Sequence, residues 1–344
     1  MSESATTTSA PDDGGVTSHP PAIVVRGLEK SFGDVHAVRG VDFEVQTGEV
    51  FGFLGPNGAG KTTTINMCCT LIRPTGGTAA VAGHDVVRER DDVRRNIGLV
   101  FQETTLDSYL SAEQNLRLHA ELYGVQSNLV NPRMRQVLEM VGLWERRASP
   151  VRTFSGGMKR RLEIARGLMH SPRVLFLDEP TIGLDPQTRR SIWTYIRTLK
   201  ESEEITIFMT THYMDEAEWC DRIAIMDQGV IVALDTPDVL KAKVGADRIR
   251  IETDDDAAAI ASLRDRFEIE AVISEGAVTF RTPSGESFVP RLFAELGIPI
   301  RSVSVSRPTL DDVFMSHTGS SIRDVEESGD ADRRKRMASA MGGR

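Results

Sequence analysis

The chain alternates short, mostly apolar runs with longer stretches whose apolar residues recur at helical spacing. Four of these runs occupy residues 50–54, 97–101, 174–177 and 205–209. Short continuous runs are typical of strands buried on both faces of a parallel sheet. Two earlier apolar segments, 23–25 and 41–45, are expected to form an antiparallel flank. The pattern therefore predicts an α/β fold with a parallel-sheet core.

Helical periodicity dominates the region between the second and third runs. Ser111 begins a capping box, which is a signature of a helix start. Asn131 and Pro132 have the pattern of an N-cap followed by proline at the first helical position, and Gly142 is placed to end that helix. We therefore expect a helical subdomain over about 103–170.

The periodicity changes after residue 245. Strand-like segments lie at 248–252, 269–273, 278–281 and 300–305, and helical segments at 257–267 and 287–296. The order β-α-β-β-α-β is the split arrangement of ferredoxin-like folds. We predict a small α+β ferredoxin-like domain over 245–317, after a main domain over 22–244. Residues 1–21 and 318–344 are polar or charged and are predicted to be disordered tails.

One Gly-rich segment carries the clearest chemical signal. It follows the first buried run and consists of Gly55, Pro56, Asn57, Gly58, Ala59, Gly60, Lys61, Thr62 and Thr63. A strand, a loop of the form G-x-x-x-x-G-K-T and a helix together make a phosphate-binding loop, in which backbone N–H groups and the helix dipole face one anion. Lys61 would reach the β- and γ-phosphates, and the Thr62 hydroxyl would hold Mg²⁺.

Polar side chains follow the other three runs. Asp178 and Glu179 end the third run, Gln102 ends the second, and His212 follows the fourth. Ligands of open parallel sheets bind at the carboxyl ends of the strands. We expect Asp178 to hold Mg²⁺ and Glu179 to polarise the attacking water as a general base. Gln102 could contact Mg²⁺ or that water. His212 could bond a γ-phosphate, although a lone histidine is more often structural.

A second helix start also has the chemistry of an anion site. Ser155, Gly156 and Gly157 precede an amphipathic stretch with Leu162 and Ala165 on its apolar side. A serine N-cap followed by two glycines leaves backbone N–H groups free for a phosphate. Taken alone, this segment is equally well explained as an ordinary helix cap.

In this order, the motifs resemble those of ABC-type ATPase subunits, over about residues 22–244. The resemblance implies that ATP and Mg²⁺ bind in a head-to-tail homodimer. Each ATP would lie between the phosphate loop of one subunit and the Ser155, Gly156 and Gly157 segment of the other. It also implies that Glu179 is the catalytic base and that His212 responds to the γ-phosphate.

Further roles follow from the same resemblance. Asp185 would belong to a loop that crosses the dimer interface, and Phe32 would lie under the adenine ring, although a core phenylalanine is the alternative. The family signature usually has Gln where this chain has Met158, which leaves the role of that position in doubt. The ending 307–314 resembles the C-terminal extension of daunorubicin-resistance-type export ATPases.

Composition restricts the partners. The 344 residues carry a net charge of −9, which argues against a general nucleic-acid binder. The N-terminus lacks the apolar core of a signal peptide, and no run approaches the ~20 apolar residues of a membrane helix. We therefore expect a cytoplasmic protein, peripheral on the inner face of the cell membrane, whose pore is formed by a separate integral permease.

Together these features predict an α/β P-loop NTPase of ABC type, with a parallel-sheet core, an antiparallel β flank, a helical subdomain and a ferredoxin-like C-terminal domain. The expected function is ATP hydrolysis that drives export of a drug, antibiotic or lipid-like substrate. Lys61, Gln102, Glu179 and His212 are the expected catalytic residues, and Thr62, Gln102 and Asp178 the expected metal ligands. The alternative is an ABC-type ATP switch that acts on ribosomes or nucleic acid instead of transport.

Overall fold

The computed structural model describes residues 20–203, 205–274 and 276–319. The predictions of disordered tails fall almost wholly outside these ranges and stay predictions. In chain order, the first part consists of β1 (Ile23–Phe32), β2 (Val35–Val45), β3 (Val50–Leu54), α1 (Lys61–Cys68), β4 (Gly76–Val81), β5 (His84–Asp85), α2 (Arg90–Asn96), β6 (Ile97–Val100), α3 (Ala112–Leu122), α4 (Ser127–Met140), α5 (Gly156–Gly167), β7 (Val174–Asp178), α6 (Pro186–Glu203), β8 (Thr206–Thr211), α7 (Met214–Ala217), β9 (Arg222–Asp227), β10 (Val230–Asp235) and α8 (Pro237–Val244).

The central sheet has the strand order β10-β9-β3-β8-β7-β6. All neighbours in it are parallel except the hairpin strands β9 and β10. Every residue of β3, β7 and β8 is buried, as their continuous apolar sequences require. The predicted parallel core is confirmed, and its strands β3, β8, β7 and β6 all end at one edge.

The predicted antiparallel flank forms a second sheet, of order β2-β1-β4-β5. It packs on the central sheet through phenylalanine side chains. Phe43 of β2 stacks on Phe51 of β3 with ring centroids 5.7 Å apart, and it contacts Phe53 of the same strand edge to face at 5.0 Å. Offset and edge-to-face pairs of this kind fix the relative position of two sheets beyond the burial of apolar area.

The helical region confirms two of its three predicted boundaries. The Ser111 capping box caps α3, and Gly142 follows α4 with φ +65°. The proline prediction is wrong, because α4 already begins at Ser127 and Pro132 lies inside it. Val130, in the turn before the proline, is buried, whereas Pro132 is exposed. The earlier helix start buries Val130, which offsets the loss of the one hydrogen bond that proline cannot make.

The second part of the chain contains β11 (Asp247–Thr253), α9 (Asp256–Phe267), β12 (Ala271–Ser274), β13 (Ala277–Thr282), α10 (Gly285–Glu295), β14 (Ile300–Ser306) and α11 (Leu310–Thr318). Its sheet is fully antiparallel, with the order β12-β13-β11-β14. Together with α9 and α10 this is the split β-α-β-β-α-β arrangement, so the ferredoxin-like prediction is confirmed. A separate apolar cluster fills it, including Ile249, Leu263 and Leu292.

The last helix, α11, packs away from the ferredoxin-like unit. Leu310, Val313 and Phe314 are buried in the same apolar cluster as Leu240 of α8. These side chains complete the core of the preceding part, and the limit of the accessory domain at residue 317 stays a prediction. The opposite side of α11 holds the C-terminal sheet, since Asp312 Oδ1 accepts hydrogen bonds from Arg248 at 2.7 Å and Arg281 at 3.0 Å. Helix α11 therefore ties both parts together.

In the described ranges, no helix combines the length and the apolar character needed to cross a membrane.

We expect Phe314→Ala to destabilise the first part of the chain, although Phe314 lies far from it in sequence. Truncation of a fully buried phenylalanine costs about 3–5 kcal/mol. Phe293→Ala on α10 is the matched control, because Phe293 is 54% exposed and its truncation should cost less than about 0.5 kcal/mol. Urea unfolding followed by tryptophan fluorescence measures both. Equal effects of the two substitutions would contradict the packing of α11.

Candidate active site

The Gly-rich loop is fixed by close contacts that only glycine permits at two positions. A Cβ atom on Gly55 would lie 2.2 Å from the Met226 carbonyl oxygen, and one on Gly60 would lie 2.5 Å from the Ala37 carbonyl oxygen. Gly60 also has φ +107°, a conformation that favours glycine. The loop is therefore pressed against β9 and β2, and α1 begins directly after it at Lys61.

The ammonium group of Lys61 lies inside this loop. Lys61 is only 4% exposed, and its Nζ donates to the carbonyl oxygens of Gly55 at 2.7 Å and Pro56 at 3.1 Å. The same Nζ lies 3.6 Å from Glu179 Oε1. A buried ammonium needs such partners, because desolvation without them is costly. The arrangement concentrates positive charge where the sequence predicts phosphates.

Asp178 and Thr62 form the predicted pair of oxygen ligands. The Thr62 hydroxyl donates to Asp178 Oδ1 at 3.2 Å, and the Thr210 hydroxyl donates to the same oxygen at 2.6 Å. Burial raises the pKa of Asp178 above its ordinary value, although both hydroxyls act in the opposite direction. A buried carboxylate beside a hydroxyl is an oxygen donor set of the kind that Mg²⁺ prefers, so these residues fit the expected ion.

Glu179 leaves the strand with an unusual backbone. Its φ is +44°, and its N–H donates to the Thr210 hydroxyl at 3.0 Å. Gln102 Nε2 donates to Glu179 Oε2 at 3.3 Å, and His212 Nδ1 lies 3.5 Å from Oε1, at the outer limit of a hydrogen bond. Burial alone would raise the pKa of Glu179, but His212 and Lys61 outweigh burial and hold that pKa below its ordinary value.

The structure thus brings six predicted residues to one edge of the central sheet: Lys61, Thr62, Gln102, Asp178, Glu179 and His212. Sequence reasoning missed Thr210, whose hydroxyl donates to the Asp178 carboxylate and accepts from the Glu179 backbone N–H, and which faces Asp178 in the register of β7 and β8. A threonine near the end of a buried run, beside a strand that ends in acids, is the signal that could have identified it.

Ser155 caps α5, since its Oγ accepts a hydrogen bond from Met158 N at 3.3 Å. Ser155 and Gly156 are exposed, so the first turn of the helix is open to solvent. Gly157 is buried, and a Cβ on it would come within 2.4 Å of Thr188 Cγ2 on α6. The two glycines therefore differ, because Gly157 is required by packing whereas Gly156 leaves room above the helix end.

The two remaining predicted residues lie on the surface. Asp185 caps α6, accepting from Thr188 N at 3.0 Å and from the Thr188 hydroxyl at 2.6 Å. Phe32 ends β1 and is 51% exposed, with Lys30 Nζ 4.9 Å from its ring centroid. An exposed aromatic face of this kind is free to stack on another ring.

Comparison with known proteins agrees with this geometry. Residues 38–182 match the ABC transporter family, and residues 236–318 match the C-terminal domain of DrrA1-3-like ATP-binding proteins. The daunorubicin resistance ATP-binding protein DrrA3 of Streptomyces coeruleorubidus is 42% identical over 88% of this chain and 97% of its own length. The linearmycin resistance ATP-binding protein LnrL of Bacillus subtilis is 38% identical over 86% of this chain and 98% of its own length.

Solved structures show the same fold. CbiO1 from Clostridium perfringens, part of the ABC transporter complex cbiONQ, superposes with a TM-score of 0.62 at 26% identity, over 73% of this chain and 97% of its own. A dimeric ATP-binding cassette in a post-hydrolysis state, bound to ADP and Pi, superposes with a TM-score of 0.56 at 27% identity, over 62% of this chain and 98% of its own.

The fold and the site together define a P-loop ATPase. More specifically, the chain belongs to the ATP-binding subunits of ABC transporters, and its C-terminal domain places it with the drug-resistance type. Exporter subunits of this class dimerise and work with membrane permeases.

We expect Gly157→Ala to destabilise the protein by about 1–3 kcal/mol, the usual cost of overpacking. Thr188 cannot easily turn away from the added methyl group, because its hydroxyl is bonded to Asp185. Thr188→Ser removes Cγ2 but keeps that hydroxyl, so the double variant should recover most of the stability. Thermal unfolding measures this rescue. Gly156→Ala is the control, since its Cβ would lie 3.7 Å from Leu184, an ordinary contact. A Gly157→Ala loss that Thr188→Ser leaves unchanged would contradict the packing argument.

Proposed function

We propose that this chain hydrolyses ATP at two composite sites of a homodimer and thereby drives a separate export permease. The observation that supports the residue assignments best is the cluster around Glu179. One buried carboxylate lies within 3.6 Å of Lys61 Nζ, within 3.5 Å of His212 Nδ1 and within 3.3 Å of Gln102 Nε2. These four side chains are the ones expected to handle the γ-phosphate and the water that attacks it.

Residues of the loop bind and orient the nucleotide in this proposal. Lys61 would exchange its contacts with the loop carbonyls for the β- and γ-phosphates, and backbone N–H groups of the loop would hold the rest of the phosphate chain. Thr62 and Asp178, with Gln102, would hold Mg²⁺. When bound, that ion would neutralise the charge that develops on the phosphates. Phe32 would stack on the adenine ring.

Glu179 acts as the general base. Its lowered pKa keeps the carboxylate ionised at neutral pH, so it can accept a proton from the attacking water. Gln102 orients that water or the metal, and His212 contacts the γ-phosphate. His212 Nδ1 already lies beside Glu179. Loss of the γ-phosphate would therefore change the position of His212 and, with it, the surroundings of the Glu179 carboxylate.

The dimer explains why the first turn of α5 is exposed. Ser155 and Gly156 offer a capped helix end with free backbone N–H groups, and in a head-to-tail pair they would bind the partner's γ-phosphate. Asp185, which caps α6, is also exposed and would approach the phosphate loop of the other subunit. Closure would exclude water from both sites, and loss of the γ-phosphate would remove the shared anion and open the dimer.

The substrate class is proposed from the relatives. Their names describe resistance to daunorubicin, doxorubicin and linearmycin, and they align with nearly the whole of this chain. We propose that the permease exports a hydrophobic drug, antibiotic or lipid-like compound, and that this chain binds the permease on the cytoplasmic face of the membrane. The alternative of an ATP switch on ribosomes or nucleic acid is not favoured by these relatives or by the net charge of −9.

Glu179→Gln should bind ATP but hydrolyse it at least about 100-fold more slowly, because the amide cannot accept the proton. With MgATP the variant should accumulate as a closed dimer, measured by light scattering after size exclusion. Glu49→Gln is the matched control, since Glu49 is also buried and ion-paired, with Arg222 at 3.3 Å, but precedes β3 at the opposite end of the sheet. Normal turnover by Glu179→Gln would rule out the base assignment.

The transport proposal predicts a membrane partner. Chain purified from detergent-solubilised native membranes should carry a polytopic membrane protein in about equal amount, and mass spectrometry identifies it. A variant with the unrelated Glu49→Gln change should recover the same partner. Recovery of the chain with ribosomes or DNA, and without a membrane protein, would favour the ATP switch instead.

A further inference from the structure

Arg160 of α5 lies beside the site, although no motif in the sequence drew attention to it. It is 6% exposed, and its guanidinium group is surrounded by backbone carbonyl oxygens. Nε donates to Pro180 O at 2.6 Å, and Nη2 donates to Asp178 O at 3.0 Å and to Glu179 O at 3.2 Å. These acceptors belong to three consecutive residues, centred on the proposed base.

The remaining nitrogen reaches a different segment. Nη1 donates to Phe101 O and to Glu163 Oε2, the latter at 3.2 Å. A guanidinium group has five N–H donors in a fixed plane, and all five have acceptors here. All the N–H donors of Arg160 are thus used, and the charge of the guanidinium group is balanced by the carboxylate of Glu163, one turn along the same helix.

Glu163 extends this connection. Its other oxygen, Oε1, accepts a hydrogen bond from Thr105 N at 2.8 Å, and the residue is 1% exposed. Phe101 and Thr105 flank Gln102 and the start of the segment that follows it. Arg160 and Glu163 therefore join three elements: helix α5, the chain around Gln102 and the backbone of Asp178 to Pro180.

The backbone held by Arg160 is the one that needs support. Glu179 has φ +44°, a conformation that is unfavourable for a residue with a side chain and persists only where its surroundings fix it. Thr210 holds the N–H of Glu179, and Arg160 holds its carbonyl oxygen. The direction of the Glu179 side chain depends on both contacts.

We propose that Arg160 is a positioning residue for Glu179, and that with Glu163 it transmits movements of α5 and of the segment after Gln102 to the catalytic carboxylate. The inference rests on the proposed role of Glu179 as the base. The exposed first turn of α5 begins only a few residues before Arg160. Docking of a second subunit on that turn therefore changes the position of the Glu179 carboxylate through the Arg160 side chain.

Arg160→Lys tests the proposal. Lysine keeps the charge but offers a compact ammonium that cannot serve five acceptors in a plane. We expect kcat to fall about 10- to 100-fold, as misplacement of a catalytic group does. We expect KM for ATP, and affinity for a fluorescent ATP analogue, to stay within about twofold, because Arg160 is not placed to touch nucleotide.

Arg161→Lys is the matched control. Arg161 is the next residue of the same helix, and it donates to Val141 O and to the Tyr195 hydroxyl, both at 3.0 Å, away from the site. The kcat of the Arg161→Lys variant should stay within about twofold of the kcat of the unchanged protein. An equal loss of kcat in both variants would show that any weakening of α5 lowers turnover, and would overturn the proposal.

A double variant separates positioning from general stability. If Arg160 acts through Glu179, Arg160→Lys should lower the single-turnover rate of the Glu179→Gln protein by less than about twofold, because the group to be positioned is already lost. An undiminished 10- to 100-fold effect in that background would overturn the proposal. So would a loss of ATP affinity as large as the loss of kcat.

If Arg160→Lys does not fold, Glu163→Gln replaces it, since the amide keeps the shape of the side chain and removes the balancing charge. The same fall in kcat and the same non-additivity are then expected, and normal turnover overturns the proposal. Normal turnover by Glu179→Gln alone rejects the base assignment, whereas loss there with normal turnover by Arg160→Lys rejects only the positioning role.

Discussion

The buried ammonium group of Lys61 is the charge on which the rest of the site depends. A desolvated cation is tolerated only where opposite charge and hydrogen-bond acceptors surround it. Here the acceptors are carbonyl groups of its own loop, and the opposite charge is Glu179. The glycines that let the loop curl thus serve two purposes in the proposed site, since the same backbone accepts hydrogen bonds from Lys61 and would offer its N–H groups to the phosphates. The carboxylate that balances the lysine is also the proposed base, and its lowered pKa keeps it ionised.

Two adjacent acids have opposite environments because one peptide unit separates a strand from a turn. Asp178 ends β7 between the hydroxyls of Thr62 and Thr210, where burial raises its pKa. Glu179 leaves the strand at φ +44°, which carries its side chain to Lys61 and His212 and lowers its pKa despite burial. Acids whose environments separate their pKa values usually have different roles. The backbone turn at Glu179 therefore separates the proposed metal ligand from the proposed base.

Much of this site could be predicted because parallel strands bring their carboxyl ends to one edge. Lys61, Asp178, Glu179, Gln102 and His212 each follow an apolar run, so the pattern alone placed them together. The sequence pattern does not predict which distant segments contact each other. The five acceptors of Arg160 come from three segments of the chain, and in the helical pattern Arg160 resembles any other polar residue. The packing of α11 against the cluster that contains Leu240 of α8 is likewise a contact between distant segments that the sequence analysis did not predict. At Pro132 the rule that places proline at the first helical position failed, because an earlier helix start buries Val130.

The first turn and the middle of helix α5 differ in exposure, and the helix connects them. Its first turn is exposed, with the Ser155 cap and Gly156 open to solvent, while its middle is buried through Arg160 and Glu163. An α-helix rises 1.5 Å per residue, so Ser155 and Arg160 are only about 7.5 Å apart along its axis. In the proposed coupling, a displacement of the exposed turn would therefore be carried to the buried arginine. Since that arginine donates to the carbonyl oxygen of Glu179 from a planar guanidinium group, rotation of the helix would then alter the geometry at the proposed base.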